Sequence, residues 1–191
     1  MKKLLFPLCL LFLLCGCQKE PEELTRAMAL RETILKSEGC GFTCHITADD
    51  GDAIHKFSVS CRGDSQGNIS FTVIKPENIE GITGTIQDDG GRLTYTDTAL
   101  HFSLLRDGQL SPVSAPWIFL RTLREGYLMN AGKEGEQIHV GIRDSYEENA
   151  LQGDLWLGAG DLPEKAEFLY GNRKILTLQI EDFHLIEQPQ V

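Results

Sequence analysis

The sequence predicts an α+β domain: a curled antiparallel sheet of about ten strands, forming an open half-barrel, with two helices on its concave side. Three observations carry this. From Gly41 onward apolar residues recur mostly with a period of two, short turn signals separate the runs, and only two segments, around 20–37 and 114–128, switch to helical spacing. A sheet of that many twisted strands with one apolar face curls, and the helices are there to fill its hollow. The 191 residues contain no repeat, low-complexity tract or internal linker, which suits a single domain.

The chain opens on a leader. Lys2 and Lys3 precede an apolar run from Leu4 to Leu14, and Leu14-Cys-Gly-Cys17 follows. The run is too short to span a bilayer, and the small residue before Cys17 suits a lipoprotein signal peptidase. Residues 1–16 are therefore expected to be a lipoprotein signal peptide and 17–191 the mature domain, with Cys17 carrying palmitate-type acyl chains. Each buried methylene contributes ~0.8 kcal/mol, so two or more chains anchor firmly. The expected location is the extracytoplasmic face of the cell membrane.

Glu20 to Ser37 reads as a helix, with Pro21 and glutamates in its first turn and Gly39 just beyond its end. Leu24, Ala27, Met28, Ile34 and Leu35 make its apolar stripe, interrupted by Arg31. Strands follow. Phe42, Cys44 and Ile46, then Phe57, Val59 and Cys61, alternate with polar residues across a turn expected at Asp50-Gly51. That turn pairs residues whose numbers sum to 101, setting Phe42 against Val59, Cys44 against Phe57 and Cys40 against Cys61. In an oxidising envelope a Cys40–Cys61 bridge is expected; an anaerobic surface would leave the thiols reduced.

Further strands carry Ile69, Phe71 and Val73; Ile82 and Ile86; Leu93 and Tyr95; Leu100, Phe102 and Leu104, with turns at Asp89-Gly90 and Asp107-Gly108. Ser114 and Pro116 then announce a short, very apolar helix with Trp117, Ile118, Leu120, Leu123 and Tyr127, which must be largely covered. Four more strands hold Ile138, Val140 and Ile142; Leu155 and Leu157; Ala166, Phe168 and Tyr170; and Leu176, Leu178 and Ile180, the last hairpin turning at Gly171-Asn172.

Setting Lys2 and Lys3 aside, 16 of the 18 basic residues face 28 acidic ones, a net charge of −12. Such a chain repels nucleic acid and anionic headgroups, so nucleic-acid readings fall away. No cofactor or metal is expected, because the five histidines show no ligand spacing. Ser58, Ser60 and Ser70 lack a nucleophile elbow, and the acidic pairs at 49–50, 88–89 and 147–148 sit at turns, so an enzyme is not expected.

Three segments carry a diffuse resemblance: Val73-Ile-Lys-Pro-Glu-Asn-Ile-Glu-Gly-Ile82, the inserted Pro116-Trp-Ile-Phe-Leu helix, and Leu162-Pro-Glu-Lys-Ala-Glu-Phe168 followed by Ile175-Leu-Thr-Leu-Gln-Ile-Glu-Asp-Phe183. With the order of elements, they resemble the LolA/LolB-like superfamily of the periplasmic lipoprotein carrier and its outer-membrane receptor, together with mycobacterial lipid-binding lipoproteins and a germination lipoprotein of spore formers. The resemblance spans nearly the whole mature chain. It implies a concave face that holds an acyl chain or a lipidated protein, an inserted helix acting as lid, and a ligand-holding arginine for which Arg31, Arg62 and Arg92 are open alternatives.

The expected cavity residues are Phe42, Phe57, Val59, Phe71, Leu93, Tyr95, Phe102, Trp117, Leu120, Tyr127, Val140, Leu155 and Phe168. Two functions remain open: an anchored protein that binds a hydrophobic ligand, or a structural or regulatory protein of the envelope whose interior is filled. A continuous apolar tunnel would mark the first, and a packed interior the second.

Overall fold

The structure, a computed structural model, describes residues 21–87, 90–96, 98–102, 105–106, 109–147, 150–171 and 173–187. The expected leader, Cys17, Asp89, Leu104, the turn at Asp107-Gly108 and Asn172 lie outside the described residues. Helix α1 (Glu22–Lys36) comes first, then strands β1 (Gly39–Asp49), β2 (Ile54–Asp64), β3 (Ile69–Lys75), β4 (Thr83–Gln87), β5 (Gly90–Tyr95) and β6 (Thr98–Phe102). A two-residue hairpin, β7 (Leu105–Arg106) with β8 (Gln109–Leu110), leads to helix α2 (Ala115–Glu125). The chain closes with β9 (Tyr127–Glu134), β10 (Gln137–Arg143), β11 (Gln152–Leu157), β12 (Pro163–Tyr170) and β13 (Arg173–Ile186).

Eleven of these strands form one antiparallel sheet in the order β6-β5-β4-β3-β2-β1-β13-β12-β11-β10-β9. It is two meanders joined where β1 pairs with β13, and the edge strands β6 and β9 do not pair with each other. This is the α+β curled, open sheet with two helices that the one-sided alternation predicts. Inward positions are buried along β1 (Cys40, Phe42, Cys44, Ile46, Ala48) and β10 (Ile138, Val140, Ile142) while their neighbours stay wetter.

The first hairpin departs from expectation. Asp49 pairs with Ile54, so a four-residue loop replaces the two-residue turn. Asp50 decides this: its Oδ1 accepts from the amides of Asp52 and Ala53, and its own amide donates to the Ala53 carbonyl. Partners therefore sum to 103: Phe42 faces Cys61, Cys44 faces Val59 and Cys40 faces Gly63. A slip of two keeps every side chain on its face, so the core survives while each partner changes. The Cys40–Cys61 juxtaposition is lost with it, and the three thiols are free and buried.

Helix α1 also differs from its expected stripe. It buries Ala27, Leu30 and Ile34, while Met28 and Leu35 are half exposed. Arg31, which interrupts the stripe in the sequence, reaches across to α2, where its Nε donates to the Leu123 carbonyl at 2.7 Å. Arg26 and Asp161 form an ion pair that ties the other end of α1 to the β11–β12 connection.

Candidate functional site

The concave face is built around α2. Ser114 precedes the helix, but its hydroxyl donates back to the Ser111 carbonyl and makes no capping bond to the first turn. Every residue from Ala115 to Leu120 is buried, with Thr122 and Leu123, so the first part of the helix is covered all round while Arg121 and Glu125 keep one exposed polar face. Phe119 meets Phe42 edge-on at 5.3 Å and Phe183 at 6.5 Å, while Phe42 stacks on Phe183 at 5.9 Å. Leu120 lies against Gly63: a Cβ there would stand 2.5 Å from its Cδ2 and 3.2 Å from Cys40 Sγ. The space left between α2 and strands β10 to β12 is about 10 Å³.

Of the expected cavity residues, Phe42, Val59, Phe71, Trp117, Leu120, Val140, Leu155 and Phe168 are buried together in one core. Phe57, Leu93 and Phe102 are partly buried against it. Tyr95 lies at the end of β5 and is 54% exposed. Tyr127 is not on the helix, which ends when the Gly126 amide donates to the Thr122 carbonyl; it opens β9, is 43% exposed and packs on Tyr146 at 4.2 Å. Both tyrosines therefore fall outside the packed interior.

Of the three alternative arginines, only Arg31 lies on the side of the sheet that holds α2. Arg31 is engaged by the end of α2, while Arg62 and Arg92 are exposed at outward positions of β2 and β5. The histidines have ordinary neighbours: His45 bonds Ser58 at 2.8 Å and Glu181 at 3.1 Å, His55 bonds Asp50 and His139 bonds Asp154, both at 2.7 Å, and His184 Nδ1 lies 2.8 Å from the Asp182 carbonyl. Burial pushes the Cys40 thiol up to about 11 and the Cys44 and Cys61 thiols well above their ordinary value, which suppresses the nucleophilic thiolate.

No family model and no curated protein matches the chain. The fold is similar to several solved structures. One is a LolA superfamily protein from Nitrosomonas europaea, at 12% identity over 85% of this chain and 94% of that one, with a TM-score of 0.44. Another is a DUF1329 family protein from Desulfovibrio piger, at 9% identity over 87% and 94%, with a TM-score of 0.48. A third is the Mycobacterium tuberculosis lipoprotein LppX, at 11% identity over 88% and 96%, with a TM-score of 0.41. Among the described residues no helix is long and apolar enough to cross a membrane.

Proposed function

We propose that this chain is a lipid-anchored, non-catalytic protein of the extracytoplasmic membrane face that works by binding an envelope protein partner, with its half-barrel permanently plugged by α2. One observation carries the choice over ligand carriage. Among the described residues the void between α2 and strands β10 to β12 is about 10 Å³, whereas pockets for drug-sized ligands run to roughly 300–1,000 Å³. An acyl chain would have to displace Phe119 and Leu120, each about 1% exposed, from a packed core. Anchoring is supported by the lipobox at Leu14-Cys-Gly-Cys17.

A second reading has its own observation. On and beside the β4–β6 wing, Ile79, Ile82, Leu93 and Phe102 are only partly buried and Leu100 is 62% exposed. A hydrophobic ligand, an acyl chain or the lipid of a lipidated protein, would lie there and not beneath α2.

Native mass spectrometry of Cys17→Ser protein, purified without detergent, separates the two. The partner-binding reading expects the mass of the polypeptide alone. A stoichiometric lipid adduct would transfer the assignment to the wing.

A further inference from the structure

The outward face of β2 to β6 carries a feature that neither reading uses. Arg62 pairs with Ser70, Ser70 with Thr85, Thr85 with Arg92 and Arg92 with His101, so these five residues form one row straight across the sheet. Strand spacing puts the Arg62 and Arg92 backbones three steps apart, about 14 Å. An open groove of about 460 Å³ runs between the two guanidinium groups and meets a second of about 500 Å³, which shares Thr85 and Arg92 and extends to His101. The next row along the strands adds the hydroxyls of Ser60, Thr72 and Thr94.

The charges here are unusual for this chain. Arg26 pairs with Asp161, Arg121 with Glu125 and Arg173 with Asp49, while Arg31, Arg124 and Arg143 donate to carbonyl oxygens of Leu123, Ser65 and Glu147. Of the arginines whose side chains are described, Arg62 and Arg92 alone have no such partner, and they share one groove. The carboxylate next along β2, Asp64, is turned away into its own loop by the amides of Gln66 and Asn68 and by Asn68 Nδ2. Ser70 donates to the Arg62 carbonyl, which leaves Thr85 as the hydroxyl between the arginines that is free to donate outward.

We propose that this groove binds a linear phosphodiester polymer of the envelope, with Arg62 and Arg92 each holding a phosphate and Thr85 donating between them. Guanidinium groups recognise phosphate oxygens through paired N–H donors, and hydroxyls supplement them. The net charge of −12 outside residues 1–16 opposes a broad anionic partner, whether a bilayer plane or a nucleic-acid duplex, whereas a single strand narrow enough to lie in the groove meets the Arg62 and Arg92 guanidinium groups at close range. The site lies on the face opposite α2, and its presence is independent of what the concave side does.

The test uses the full lipidated protein in neutral phosphatidylcholine nanodiscs, titrated with a synthetic glycerol-phosphate polymer. Binding is expected, weakening with salt, and falling at least about tenfold in Arg62→Gln/Arg92→Gln with a shallower salt dependence. The control Arg173→Gln/Lys174→Gln removes the same charge elsewhere and should bind within about twofold of wild type. Both doubles should unfold cooperatively, well above the temperature of the titration. No binding by wild type, equal binding by the Arg62/Arg92 double, or a stronger response to phosphatidylglycerol vesicles or polyglutamate than to the polymer would overturn the assignment.

Discussion

Arg31 of α1 donates its Nε hydrogen to the carbonyl of Leu123 at 2.7 Å, with Nη2 3.4 Å from the Thr122 carbonyl, so one helix neutralises the C-terminal carbonyls of the other. Burial lowers the Arg31 pKa from its ordinary value, yet the group remains charged because arginine starts so high. The contact joins α1, which lies over β9 and β10, to the plug that fills the sheet.

Replacing Arg31 by Met keeps the stem and removes the donor. Stability to urea should fall by ~1–3 kcal/mol, the range for a charged hydrogen bond lost from partly buried carbonyls. A midpoint within experimental error of wild type would show that the two helices are held by apolar packing alone.

Gly63 faces Leu120 of α2 with no room for a side chain, and this makes a second prediction. Gly63→Ala puts a methyl 2.5 Å from Leu120 Cδ2, and overpacking of this sort costs ~1–3 kcal/mol. Combining it with Leu120→Ala should recover part of that loss, measured as a coupling in a double-mutant cycle. Strict additivity would mean that the helix shifts to accommodate the methyl.

Cys40, Cys44 and Cys61 share the inward face of β1 and β2, and their thiols are suppressed chiefly by burial. At pH 8 the folded protein should label with maleimide several orders of magnitude more slowly than the same protein in guanidinium, where all three react. Rapid labelling of the native state would show that β1 and β2 open readily.

Glu167 makes an acid-limb prediction. Burial works against its charged form, but hydrogen bonds and charge from Lys165 and Lys174, each 2.8 Å away, outweigh it and hold the carboxyl below its usual range. A carboxyl whose folded pKa is depressed contributes stability that is present above its unfolded pKa and lost as pH falls through the folded one. Stability should therefore decline as pH drops below about 4.5, and Glu167→Gln should start lower and decline less steeply. Parallel acid limbs for the two proteins would remove Glu167 from the account.

The leader prediction stands on sequence. Cys17→Ser should move the protein from the detergent-extracted membrane fraction to the soluble one, because the acyl anchor is gone. Unchanged recovery in the membrane fraction would contradict anchoring at Cys17.

The sheet and its inward residues were legible because one-sided burial writes itself as alternation, and Phe42, Val59, Phe71 and Val140 needed nothing more. The first hairpin's register was not legible, since it turns on which amides Asp50 accepts, and both loop lengths keep the same residues inside. Tyr127 looked helical because its spacing continues Leu120 and Leu123, but the chain straightens at Gly126. Arg31 broke the apolar stripe on paper, and its purpose is visible only across the 92 residues to Leu123. The Arg62–Arg92 row was hidden for a similar reason, because three hairpins must be registered before the two arginines come into line.

Whether α2 is fixed core or a mobile lid decides between partner binding and ligand carriage beneath it, and native-state hydrogen exchange of its amides tests this most directly. A permanent plug predicts that the amides from Phe119 to Glu125 exchange only through global unfolding, with the same free energy and denaturant dependence as those in the centre of β1 and β13. Exchange of α2 through a smaller opening, at lower free energy and while β1 and β13 remain protected, would contradict the plugged half-barrel.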